Sequence, residues 1–192
     1  MDRTDIKQQV QIFEKSRNNL LLVIFFTLVN LILSYFDAGV SFLFSATLPQ
    51  FVFEVGKTLD SEIGSGIFII AGLIIASIII ITYFIFWILA KRARVLLLAA
   101  LIFFSIDSLL LLYLIFNTEF SFSVLLEIAF HVWVLYCLIN GVKAWNKLRG
   151  VNTDVFNTIL REIKLNHINP INPPVSDTSN REINEDNNPI NE

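Results

Sequence analysis

Residues 66–90 read GIFIIAGLIIASIIIITYFIFWILA, without a single Asp, Glu, Lys or Arg. The apolar side chains point in every direction around a helix, so no face is left for water. About 20 such residues cross the hydrocarbon of a bilayer as a helix. Three further runs, 18–36, 95–116 and 121–142, meet that length. A water-soluble domain of 192 residues has no interior large enough to hide four of them. The expected fold class is an all-α integral membrane protein: a four-helix transmembrane bundle with an interfacial helix in the first outer loop and a disordered C-terminal tail.

Composition points the same way. Hydrophobic residues make up 55% and charged residues 16% of the chain, against about 25% charged in an ordinary soluble domain. A formal net charge of -3 offers no basic face for nucleic acid. The lone cysteine, Cys137, forms no disulfide within the chain and reads as a small core residue.

Lys and Arg set the expected orientation, because short loops rich in them stay on the cytoplasmic side. Arg3, Lys7, Lys15 and Arg17 precede the first span, Lys91, Arg92 and Arg94 lie between the second and third, and Lys143, Lys147 and Arg149 follow the fourth. The other two links carry one base, Lys57, against Asp37, Glu54, Asp60, Glu62 and Glu119. Both termini are thus expected in the cytoplasm, in a multi-pass protein of the cell membrane. Trp87 and Trp145 at inner ends, with Tyr35 and Tyr113 at outer ends, fit interfacial anchors. A cleaved signal peptide fits poorly, since the opening stretch mixes acids with bases and no small-x-small site follows the first run.

Between the first two runs, Phe42, Leu43, Phe44, Leu48, Phe51, Val52, Phe53 and Val55 make the loop too apolar for solvent. Thr47 as cap, Pro49 in the first turn and a stripe of Phe51, Val52 and Val55 describe a short helix. An in-plane helix on the outer leaflet is the first expectation; a re-entrant segment, shielded by protein, is the alternative.

Residues 1–17 form an amphipathic lead, with Ile6, Val10 and Phe13 at helical spacing, and residues 18–150 the bundle. Residues 151–166 form a second amphipathic helix through Val155, Phe156, Ile159, Leu160 and Ile163, capped by Asn152 or Thr153. Both could lie on the membrane surface. Residues 167–192, rich in Asn, Pro and acids, bury too little to fold. The repeated Ile-Asn-Pro there reads as composition, with a docking motif as the alternative.

Polar side chains within spans are costly and mark any site. Asn30, Asp107, Glu127 and His131 are the candidates. Asn30, Asp107 and His131 lie 12 or 13 residues from the nearest terminal base, a depth of roughly 18 to 20 Å at ~1.5 Å per residue. Consecutive spans with a short link are neighbours, which sets Asp107 opposite His131. Glu127 lies one turn from His131. Such a set is either interhelical glue or a proton-coupled carrier or metal site. The Gly72-x-x-x-Ala76 surface, with Ala71 and Ser77, and Ala99 with Ala100 suit close helix packing.

No catalytic residue is assigned. Ser105, Ser108 and Ser123 lack a Gly-x-Ser-x-Gly setting, there is no His-Glu-x-x-His, and nothing implies a cofactor or a resident metal. A channel would require oligomerisation. The expected partners are the lipid bilayer and either further copies of the chain or a larger membrane protein, in a non-enzymatic scaffold or accessory role.

The block Phe42 to Ala46 followed by Pro49, and the pair His131-x-Trp133 in the last run, resemble small uncharacterised four-span membrane proteins of low-GC Gram-positive bacteria. The resemblance covers roughly residues 18–150. It implies a four-span fold with no assigned activity, and it marks Ser45, Pro49 and His131 as positions to test.

Overall fold

The computed structural model describes residues 2–40, 42, 44–91, 93, 95–117 and 121–168. Among them the chain forms α1 (Arg3–Tyr35), α2 (Thr47–Ile63), α3 (Ile67–Leu89), α4 (Leu96–Ile115), α5 (Phe122–Lys147), a 3-10 turn (Leu148–Gly150) and α6 (Thr153–Ile168), with no strand. Helices α1, α3, α4 and α5 are each long and apolar enough to cross a membrane. The architecture is that of a multi-pass membrane protein. One end of the bundle carries the start of α1, the α3–α4 link and α6, and is called here the termini end. The loop end carries the links α1–α2, α2–α3 and α4–α5.

The amphipathic lead and the first run are one helix. Asp2 caps it by accepting from the Arg3 N–H at 2.7 Å, and nothing between residues 3 and 35 breaks it, so α1 is a rod of about 50 Å. The apolar stripes of the lead and α6 cover each other: Phe13 meets Phe156 edge to face with ring centres 6.0 Å apart. Val10, Phe13, Phe156, Ile159 and Ile163 are buried, and Arg3 pairs with Glu162 at 2.7 Å. Asn152 caps α6, its Oδ1 accepting from the Asp154 N–H at 2.9 Å. Residues 169–192, where the disordered tail and most of the Ile-Asn-Pro repeat are expected, lie outside the described residues.

Small residues sit at two close helix contacts. Gly141 packs on Ser16, whose hydroxyl donates to the Cys137 carbonyl at 2.8 Å, joining α1 to α5. Gly56 packs on Gly72: a Cβ on Gly56 would stand 2.6 Å from the Phe68 carbonyl oxygen and 3.1 Å from the Gly72 Cα. The small-residue surface of α3 therefore receives the loop helix. The turn between α2 and α3 needs a left-handed residue, which Gly64 supplies at φ 67°.

The loop helix stands against α3 and directs its N-terminus towards Asp107. The expected stripe is displaced: Pro49, Phe53 and Gly56 are buried, whereas Val55 is exposed. Seating on α3 requires a glycine face, and the stripe through Phe51, Val52 and Val55 contains none.

Candidate functional site

Each span contributes its packed face. Along α4 that face is Leu97, Ala100, Phe104, Asp107 and Leu111, and along α5 it includes Phe130, His131, Val134, Leu138 and Gly141. On α1, Leu20, Val23, Thr27, Asn30 and Leu31 do the same. The 3-4 spacing that places Leu97 and Phe104 inside also places Asp107 inside. Asp107 is 0% exposed, and Asn30 and His131 are 2% exposed.

Asp107 meets His131 as expected, with Oδ2 3.2 Å from Nε2. It also caps the loop helix. Oδ2 accepts from the Thr47 N–H at 3.0 Å and Oδ1 from the Leu48 N–H at 2.6 Å. The expected capping role of Thr47 is corrected: Ala46 holds the N-cap position and has no acceptor, so α2 takes its cap from another helix. The first N–H groups of a helix lack partners of their own and carry its positive dipole end, which makes a buried carboxylate a fitting occupant.

Asn30 performs the matching task upstream. Its Oδ1 accepts from the Phe42 N–H at 2.6 Å, while Nδ2 donates to the Phe42 carbonyl at 2.6 Å and to Ser45 Oγ at 2.7 Å. One turn below, Thr27 Oγ1 accepts from the Ala46 N–H at 2.8 Å and donates to the Val23 carbonyl at 2.7 Å. Backbone donors of residues 42, 46, 47 and 48 are thus all met by side chains of α1 and α4. Non-helical backbone inside an apolar bundle has no other recourse. Thr27 escaped the sequence reading because a threonine in a span ordinarily bonds to its own helix; its spacing of three from Asn30 was the available signal.

Contacts at both nitrogens orient the His131 ring. Nδ1 lies 3.0 Å from the Glu127 carbonyl, which can only accept, so Nδ1 carries hydrogen. Nε2 faces the Asp107 carboxylate. Thr47 Oγ1 lies 3.4 Å from the same nitrogen, and Phe104 stacks on the ring with centres 5.2 Å apart. Glu127 enters only through its carbonyl; its carboxylate has no hydrogen bond or ion pair among the described residues. Among the described residues, no three His, Cys, Asp or Glu side chains converge to hold a metal ion.

A polar vestibule of about 280 Å³ opens at the loop end and reaches Asn30, lined by Ser34, Asp37, Gln50, Glu54 and Lys57. Lys57 bonds to Asp37 and, at 3.2 Å, to the Ser34 carbonyl; Ser34 also bonds to Glu54. Towards the termini end, the Tyr83 hydroxyl is buried without a hydrogen-bond partner among the described residues, as are Trp87 Nε1 and Arg17 Nε. Arg17 pairs with Glu14 at 3.0 Å and lies 5.2 Å from the centre of the Trp87 ring.

No protein-family model, no curated protein and no solved structure matches this chain.

Proposed function

We propose that this chain is a non-enzymatic scaffold or accessory protein of the cell membrane, with both termini cytoplasmic and with α2 re-entrant from the outer side. One observation carries the reading: both oxygens of Asp107 and both polar atoms of Asn30 are engaged with the chain's own loop. A polar set consumed in holding backbone has little left for substrate. The bases at the termini end support the orientation, and the block from Phe42 to Pro49 and the His131-x-Trp133 pair support a place beside the small four-span proteins they resemble. Further copies of the chain or a larger membrane protein would be the partner. Reconstitution tests it: the purified chain in proteoliposomes should move no protons under an imposed pH difference, and steady uptake dependent on the protein would overturn the reading.

A second reading, a proton-coupled carrier, is favoured by a different observation. The vestibule reaches Asn30, Asn30 bonds to Ser45, and Thr47 lies beside the Asp107–His131 pair. On this reading the same flux experiment gives uptake that Asp107→Asn abolishes.

A further inference from the structure

Along one side of the α1–α5 seam, towards the termini end, lies a cleft of about 730 Å³, within the ~300–1,000 Å³ of small-molecule sites. The seam itself is closed by Ser16 and Gly141, and longer side chains beside that contact form the walls. Its charged lining residues are Lys15, Lys143 and Lys147, and no carboxylate lines it. All three lysines are exposed, and none forms an ion pair among the described residues. The acid next to Lys15, Glu14, is turned to Arg17 instead. Gln9, Asn140 and Asn146 add amide donors between the lysines.

The cleft is graded along the helix direction. Lys147 lies at the termini end and Tyr136 at the other, a span of about 16 Å along α5. Tyr136 is 65% exposed on the outer surface of the bundle, the surface that meets lipid if α5 crosses a membrane. A ligand that suits this site carries a compact anion at one end, met by three ammonium groups, and continues into an apolar layer. We infer that the cleft binds the phosphate-bearing headgroup of an anionic phospholipid from the leaflet at the termini end. This rests on the membrane reading but not on the scaffold role or on which side is cytoplasmic. A free phosphate shares the charge chemistry; it has no use for the end of the cleft that runs along the spans.

The test uses the purified full-length chain in a neutral detergent and reads the thermal unfolding midpoint on adding phosphatidylglycerol, phosphatidylcholine or inorganic phosphate. Phosphatidylglycerol should raise the midpoint by several degrees and the other two should not. In K15Q/K143Q/K147Q the apparent affinity should fall about fivefold per lysine, whereas K7Q/R161Q/K164Q, with the same change in charge, should respond as the wild type does. An equal response to phosphatidylcholine, an undiminished response in the triple variant, or a full response to inorganic phosphate each overturns the proposal. Native mass spectrometry of the wild type gives an independent readout: retained phosphatidylglycerol supports the site, and equal retention of phosphatidylcholine removes it. Extraction of the chain without detergent would instead refute the membrane reading beneath it.

Discussion

The Nε2 of His131 and the Oδ2 of Asp107 stand 3.2 Å apart, while the same carboxylate holds the first two N–H groups of α2. The pair that looks like a contact between two spans is a three-way junction, and its third member is the loop helix. Removing either side chain therefore acts on the loop before it acts on the spans.

Asp107→Asn should lower stability by roughly 1–3 kcal/mol, because an amide offers one acceptor to two backbone donors and turns its NH2 towards the other. His131→Gln should cost a comparable amount. The double variant should fall short of the sum by about 0.5–3 kcal/mol. Thermal unfolding of the four proteins in one detergent measures this; additive costs would mean that the two side chains act independently.

Asn30→Ala leaves the Phe42 N–H and carbonyl without partners inside the bundle. Hydrogen exchange at residues 42 and 44–48 should rise well above the wild type, with exchange in α4 and α5 unchanged. Uniform acceleration throughout the chain would assign Asn30 to the general core.

Gly56→Ala places a methyl group 2.6 Å from the Phe68 carbonyl. The helices must separate, at a cost of about 1–3 kcal/mol. Gly150→Ala, where the added carbon meets nothing, is the control and should leave the unfolding midpoint within a degree or so.

Phe156→Ala should detach α6 from the α1 lead, at about 3–5 kcal/mol for a buried Phe. Glu162→Ala, which removes only the exposed pair with Arg3, should cost under about 1 kcal/mol. Limited proteolysis near residues 150–153 separates the two: fast cleavage in the first variant, wild-type cleavage in the second.

Lys91, beyond the end of α3, is held below the ordinary lysine range by Arg17, by partial burial and by Lys164. A cation whose affinity for its proton is lower in the folded state destabilises that state while charged, and the penalty fades as pH rises through its folded pKa. At neutral pH the penalty is present. Lys91→Gln should raise the unfolding midpoint slightly, and less so in high salt, which screens the repulsion.

The four spans were legible because Gly66 to Ala90 and the three similar runs leave no polar face, a property that survives any tertiary arrangement. The junction of Asp107 with His131 was legible from depth and from the short link between their helices. What α2 does was not. Its amphipathic pattern records that one side is apolar, yet whether that side meets lipid or α3 depends on Gly56 finding Gly72, a contact between helices that periodicity does not encode. The same holds for the termini end, where the stripes of the α1 lead and α6 fit a membrane surface and each other equally well, and only their proximity decides. Asp107 as a cap for a helix sixty residues earlier lies beyond any local rule, because capping signals are read within a few positions of the helix start.

The unbroken length of α1 puts two separate packing sites on one helix. Phe13, which grips α6, and Asn30, which grips the descending loop, are seventeen residues apart on one stiff rod, about 26 Å at helical rise. No proline or glycine lies between them to kink the helix. One uninterrupted helix therefore carries both the seat of α6 and the seat of the loop.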